Sequence, residues 1–299
     1  MNSRNWSLTT CRADGQSSAA VRRRDGRLVV PDFLRAYAGL TQALDDWERL
    51  TPLLRDLDPD ALDPLDAIET LSVQYPRKLL CVGANYRDHL AEMGVDDVPE
   101  GTRPYFFLVP PTTTMVGDGE PVLIPDDPTL RPDWEAELAV VIGKGGAGIP
   151  ASRALDHVAG YACFNDVTAR GLLRRDVAIA APFTWDWSGS KGLDTFCPMG
   201  AVTPAWQIED PGALAIRCVV NDTVKQDGTT SNLIVGIADI IAAASRSWTL
   251  QPGDVIATGT PAGVGLARGE QLRDGDVVRV EIEGLAPLTN PVKSRTVKG

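Results

Sequence analysis

The sequence predicts a strand-dominated α+β fold, on three observations. From about residue 76 onward, short runs of branched and aromatic apolar residues alternate with Gly, Pro and Asp turns. In that stretch one long segment, LIVGIADIIAAASRSW, carries apolar residues at helical spacing. Before residue 70 the chain reads differently: a hairpin signal, a helical stripe and an Asp/Pro-rich tract. Many strands with few intervening helices argue against an alternating β/α architecture and for a roll or sandwich.

Taken in order, residues 1–70 are expected to form a small α+β amino-terminal domain and residues 71–299 a larger catalytic domain. AAVRRRDGRLVV predicts a hairpin, with Asp25-Gly26 as the positive-φ turn and the RRR run solvated on one strand. A helix is expected from Pro31, carrying Leu34, Tyr37, Leu40, Leu44 and Trp47 as a core stripe. TPLLRDLDPDALDPLDAIETL reads as a linker. KLLCVGANY, PYFFLV, PVLIP, ELAVVIG, VAGYACFND, LAIRCVVN, DVIATGT and VVRVEIEG all read as strands. The single helix among them places Leu233, Ile237, Ile240 and Ala244 on one face, with Ser231 or Asn232 as its cap.

Bulk composition narrows the function. The 299 residues are 43% hydrophobic and 23% charged, ordinary for a globular enzyme. Lys and Arg total 29 against 40 Asp and Glu, a net charge of −11. That field disfavours nucleic acid and anionic membrane as partners and leaves a small molecule. No apolar run approaches the ~20 residues of a membrane span. The amino terminus lacks the apolar core of a signal peptide. Five cysteines, scattered and never in CxxC spacing, read as core thiols of a reducing cytoplasm.

The chemistry is concentrated in a few acids and bases. Glu135 and Glu137 stand at i and i+2 in DWEAELAVVIGK, so a strand points both to one face. Acids beside an apolar run repel each other and lose hydration, and so call for a cation. Asp166, at the end of VAGYACFND, would complete an all-oxygen site for a hard divalent ion. On spacing alone the glutamate pair reads equally as a solvated strand face. His89 and Glu92, at i and i+3 in NYRDHLAEMG, form a candidate base with its orienting carboxylate, or a helix-surface pair. Lys191, near Trp185 and Trp187, suits an oxyanion if desolvated; a loop lysine in water is the alternative. His157 has no acidic partner at helical spacing and reads as structural. GTPAGVG at 259–265 offers backbone N–H groups to an anion but lacks GK[ST], and GKGGAG at 143–148 precedes no helix, so neither supports nucleotide binding. No GxSxG or nucleophilic-cysteine signature is present.

The ordered blocks NYRDHLAE, DWEAELAVVIGK, GYACFNDVTAR, SKGLDTFCPMG, VNDTVKQ and LQPGDVIATGTPAGVG, over residues ~78–294, resemble the fumarylacetoacetate hydrolase family. The resemblance implies a mixed β-roll catalytic domain, a homodimer, and Mg²⁺, with Mn²⁺ or Ca²⁺ as alternatives. It implies Glu135, Glu137 and Asp166 as metal carboxylates, His89 and Glu92 as a water-activating dyad on a mobile lid, and Lys191 near the developing oxyanion. It implies Arg170, Thr260, Tyr86 and Leu173 as substrate-contacting positions. Departures are visible as well: ARGLL replaces the common ARDxQ, so Gly171 and Leu173 stand for an aspartate and a glutamine. Val109 stands where a lysine is frequent, and Asn221-Asp222 replaces an Asn-Gly turn. Loss of the glutamine makes the pocket more apolar.

The function expected is metal-dependent hydrolysis of a C–C bond in a 1,3-dicarbonyl, acylpyruvate-type acid through an enolate. Decarboxylation, isomerisation or dehydration of a 2-oxo acid through the same enolate is the alternative. A catalytically degenerate, ligand-binding member of the family is a third reading, which Gly171 and Leu173 favour slightly.

Overall fold

The computed structural model describes residues 6–13, 15–65, 69–71 and 76–295. Residues 66–68 of the expected linker, and 72–75 beside the expected domain boundary, lie outside the described residues. Three sheets dominate, and every strand predicted beyond residue 76 is present.

The central sheet has six strands in the order Thr203–Pro204, Val158–Asn165, Ala136–Ile142, Val255–Ala257, Leu79–Gly83, Tyr105–Val109. Its middle strand, Ala136–Ile142, is buried along its whole length, which explains the unbroken apolar run. Leu138, Val140 and Ile142 enter one core with Ile216, Cys218, Val278 and Val280 of the five-stranded sheet and Ile240 and Ile241 of helix Ile237–Ser247. Ala139 and Val141 enter a second core with Leu79, Phe164, Trp6, Leu40, Leu44 and Trp47. Each large apolar side chain so buried contributes roughly 1.5–3 kcal/mol. The amino-terminal strands Ser7–Ala13 and Gln16–Arg22 thus belong to a segment that shares its core with the central sheet.

The hairpin at Asp25-Gly26 is present, pairing Val21 with Val29 and Arg22 with Leu28. The Asn221-Asp222 hairpin is too, with φ of 48° and 64°. Gly143 of the GKGGAG run serves packing, because a Cβ there would stand 2.4 Å from Trp47 Cδ1.

Three expectations need correction. The helix expected from Pro31 breaks into a 3-10 turn Asp32–Leu34 and helices Leu40–Asp45 and Trp47–Arg55. The break follows from Gly39, whose extended backbone lets Leu40 N donate to Thr10 Oγ1 at 2.9 Å. The second helix takes in the start of the expected linker, so TPLLR is helical and only the tract beyond it is irregular. The long carboxy-terminal helix starts at Ile237 with Gly236 at its N-cap and no side-chain cap. Ile234 and Val235 are diverted to Asn85: its side-chain amide holds both backbone groups of Val235, and its backbone carbonyl accepts from Ile234 N. Asn232 bonds Asp88 instead of capping.

The five cysteines are all buried and unpaired. No helix among the described residues is long and apolar enough to cross a membrane.

Candidate active site

The acids stand where two strands of the central sheet end side by side. Ala136 pairs with Asn165 in antiparallel register, so Asp166 emerges beside Glu135. Two bonds lock the junction: Glu135 N donates to Asn165 Oδ1 at 2.9 Å, and Asp166 N to Glu135 O at 2.9 Å. One oxygen from each of Glu135, Glu137 and Asp166 lies within 4.8 Å of the other two. That spread suits oxygens sharing a hard cation at about 2.0–2.6 Å. All three residues are buried, at 6%, 2% and 1% exposure, which removes the solvated-face reading of the glutamate pair.

Charge makes the case for a dication. Asp133, also fully buried, is a fourth acid in the cluster, while Arg170 and Lys191 are its paired cations. With all four ionised, these carboxylates exceed the two cations by two negative charges. Burial, then the charges of Asp166 and Glu135, raises Glu137 well above the usual carboxylate range. Asp166 and Asp133 are each pushed up to about 6, chiefly by burial. Burial acts on Glu135 too, but Lys191 and Arg170 together outweigh it and hold that carboxyl down to about 2. Asp166 Oδ1 is buried with no hydrogen-bond partner, and Glu137 accepts only from Gly259 N among the bonds seen, at 2.8 Å. Hard oxygen donors, an orphaned carboxylate oxygen and a charge deficit of two fit a divalent cation.

Lys191 is held by the short helix Trp187–Lys191, whose start is capped by Asp186 accepting from Gly189 N. It is buried, as desolvation required. Its ammonium donates to Glu135 Oε2 at 2.8 Å, Asp166 Oδ2 at 2.8 Å and Thr168 Oγ1 at 2.7 Å. Burial alone would lower its pKa, but the charges of Asp166 and Glu135 prevail and raise it. All three protons are committed, so an oxyanion reaches Lys191 only by displacing one of these bonds.

The dyad comes from helix Arg87–Glu92, as the i, i+3 spacing requires. His89 Nδ1 meets Glu92 Oε1 at 2.6 Å, and Glu92 Oε2 accepts from Gly263 N at 2.9 Å. A carboxylate at Nδ1 fixes the tautomer with its proton there and leaves Nε2 as the acceptor. His89 is 8% exposed, which removes the helix-surface reading. Beyond Glu92 lies a cavity of about 560 Å³ lined by Val224, Lys225, Asp227, Gly263 and Arg268.

The residues matched to substrate contact are placed less simply. Arg170 donates to Asp133 Oδ1 at 2.7 Å and Glu135 Oε1 at 2.6 Å, so its guanidinium props the acids. Thr260 Oγ1 donates to Ala136 O and accepts from Gln226 Nε2, both at 2.8 Å. Tyr86 is fully buried with an unpartnered hydroxyl; burial, then the charge of Glu137, raises its pKa. Leu173 is half-buried at the end of the turn Arg170–Leu173. His157 bonds Lys144 O at 2.8 Å and takes no part in the acid cluster. The 259–265 loop does present N–H groups to anions, and those anions are Glu137 and Glu92.

Sequence reasoning missed Asp133, although its i−2 spacing from Glu135 was the available signal. It also missed Thr168, Asn85 and Gln226, whose partners lie 23 to 173 residues away and leave no local trace.

Residues 78–293 match the fumarylacetoacetate (FAA) hydrolase C-terminal family. Over 220 residues the chain is 40% identical to oxaloacetate tautomerase YisK of Bacillus subtilis, covering 72% of this chain and 69% of that protein. The fold matches fumarylacetoacetate hydrolase (EaFAH) from psychrophilic Exiguobacterium antarcticum, with TM-score 0.81, 34% identity, and 98% and 100% of the two chains covered. It also matches maleylpyruvate hydrolase from Sphingobium sp. SYK-6, solved with manganese(II) ion and pyruvate. There the TM-score is 0.72 at 29% identity, covering 96% of this chain and 99% of that one.

Proposed function

The chain belongs to the fumarylacetoacetate hydrolase family, and on that premise we propose that it is a divalent-metal-dependent hydrolase cleaving a C–C bond in an acylpyruvate-type acid. The observation that carries this reading is the dyad itself, a buried His89 whose Nδ1 meets Glu92 at 2.6 Å, near enough to the acid cluster that the imidazolium formed in the reaction would act on Glu135. Glu135, Glu137 and Asp166 would hold the cation, with Mg²⁺ and Mn²⁺ the first candidates. When bound, it would supply Lewis acidity for the enolate of a 2-oxo acid.

The chain's own residues do the rest. His89 Nε2 takes a proton from water, whose oxygen adds to the distal carbonyl of the substrate. Glu92 stabilises the imidazolium that results, and Gly263 N keeps Glu92 in place. Breaking the bond between that carbonyl carbon and the central carbon leaves its electron pair on an enolate. Lys191 gives up one of its three bonds to meet the developing oxyanion. His89 returns the proton to carbon, and the acid released ionises to solvent.

A second reading is keto–enol tautomerisation of an oxaloacetate-type acid, favoured by the 40% identity with the Bacillus subtilis tautomerase. There the dyad moves a proton between carbon and oxygen and no C–C bond breaks. The test is a product assay with Mn²⁺ or Mg²⁺ on an acylpyruvate and on oxaloacetate. Two carboxylic acids from the acylpyruvate support hydrolysis. Loss of enol absorbance with all carbon retained supports the tautomerase. No metal-stimulated change in either substrate sinks both.

A further inference from the structure

Gln226 closes the VNDTVKQ motif on strand Thr223–Thr229 and is buried at 1% exposure, yet none of the steps above uses it. Its amide is fully engaged on both sides. Oε1 accepts from Ala136 N at 2.9 Å, while Nε2 donates to Thr260 Oγ1 and Pro261 O, each at 2.8 Å. Thr260 Oγ1 in turn donates to Ala136 O at 2.8 Å. Ala136 is the residue between the two glutamates, so both its backbone groups are bonded to this amide–hydroxyl pair.

The other end of the network is the loop 259–263, which gives one N–H to each half of the site. Gly259 serves Glu137 and Gly263 serves Glu92. Gly263 has φ of +104°, and a Cβ there would stand 2.2 Å from the carbonyl oxygen of Lys225, the neighbour of Gln226. Only glycine permits that approach, so the loop lies against the Gln226 strand without slack.

We infer that Gln226 is a positioning residue, registering the Glu135–Glu137 strand against loop 259–263 and so fixing Glu137 relative to the His89–Glu92 dyad. This rests on the three acids being a metal site. The amide is the group the position requires: it accepts on one side and donates twice on the other. A carboxylate of equal length cannot donate to Pro261 O, and an alanine leaves Ala136 N and Pro261 O without partners.

The test is Mn²⁺ titration by calorimetry on the full chain, with Gln226→Ala, Gln226→Glu and Asn290→Ala as variants. Asn290 is the control: it is equally buried and donates to Gly117 O and Glu120 O at 2.7 and 2.8 Å, away from this network. Gln226→Ala is expected to weaken Mn²⁺ binding by about 10–100-fold, the usual effect of losing a ligand's supporting partner. Gln226→Glu should cost about tenfold on the same grounds. Asn290→Ala should lower Tm to a similar extent and leave Mn²⁺ affinity within about twofold. An unchanged affinity in Gln226→Ala, or an equal loss in Asn290→Ala, overturns the assignment. Should Gln226→Ala fail to fold, an unchanged affinity in Gln226→Glu overturns it. A parent enzyme that binds Mn²⁺ but turns over no 2-oxo acid removes the proposed reaction and leaves the Gln226 assignment to be decided by the affinities. A parent that binds no Mn²⁺ overturns both.

Discussion

Glu135, Glu137 and Asp166 stand at the ends of two paired strands that are buried on both faces, whereas His89 and Glu92 stand on a six-residue helix. The acids are gripped by Arg170, Lys191, Asn165 and Gly259, drawn from four separate segments. The dyad is tied to the rest of the fold at Gly263, with Asn85 anchoring the chain just before it and Asn232 bonding Asp88. The difference in support matches what the proposed reaction asks of each half. Ligands for a hard cation must keep a fixed spacing at the cost of buried like charge. A base that serves an enclosed site must be able to open for substrate, and an element with few anchors opens at small free-energy cost.

Separating the two halves by mutation is the strongest test of that contrast. Glu137→Ala removes one of the three proposed ligands, and its Mn²⁺ affinity should fall beyond the ~10–100-fold that loss of a supporting partner costs. Activity should fall with it. His89→Ala should lower kcat by ~10²–10⁴-fold, the worth of a general base, with Mn²⁺ affinity unchanged within about twofold. Calorimetry and steady-state rates on the same preparations read both. If His89→Ala loses metal as Glu137→Ala does, the halves are one unit; if it keeps full turnover, His89 is not the base.

The surplus charge of the acid half should also appear in stability. An acid whose folded pKa lies above its unfolded value keeps its proton longer in the folded state, so stability falls as pH climbs between the two values. Asp133 and Asp166, both raised to about 6, place that fall between about pH 4 and 6 in metal-free protein. The size is ~3 kcal/mol for each acid. Glu135, held down to about 2, acts oppositely: its contribution is present above about pH 4.5 and fades as pH drops toward 2. Thermal denaturation across pH 4–7 should therefore show Tm falling with rising pH in EDTA, and a flatter profile with saturating Mn²⁺. The same slope in both conditions would mean that no cation relieves the acids.

How much of this was legible follows the reach of each interaction. The glutamate pair and the dyad could be read because i, i+2 on a strand and i, i+3 on a helix are local geometry. The strand carrying the acids was legible because both of its faces are apolar. Lys191 could be suspected from its aromatic flank, but not that three oxygens occupy its ammonium. Asp133 carries the same alternation signal as Glu135 and Glu137, but the partner that makes it part of the cluster, Arg170, lies 37 residues away. The late start of helix Ile237–Ser247 was hidden, since Asn85, some 150 residues earlier, takes the backbone that periodicity assigned to the helix. Gln226 bonds Ala136 from 90 residues away, and no spacing within a motif encodes such a bond.

Leu173 lies outside both halves and sharpens the comparison by leaving each intact. It ends the turn that begins with Arg170, and its carbonyl accepts from Asp186 N at 3.0 Å. Its backbone thus closes the neck of the segment 174–185, where Arg175 N also meets Thr184 O at 2.8 Å. The side chain supplies neither a ligand to the acids nor a bond to the dyad. In the proposed reaction an apolar group there discriminates only through the arm of the substrate. Leu173→Gln should therefore move relative kcat/KM toward an acylpyruvate with a polar acyl arm and away from an alkyl one, by about tenfold. Mn²⁺ affinity and the pH profile should hold, since Glu137 and His89 keep their partners. Equal rate changes for both substrates would place Leu173 away from the acyl arm. A shift in metal affinity would tie its turn, through Arg170, to the acid half instead.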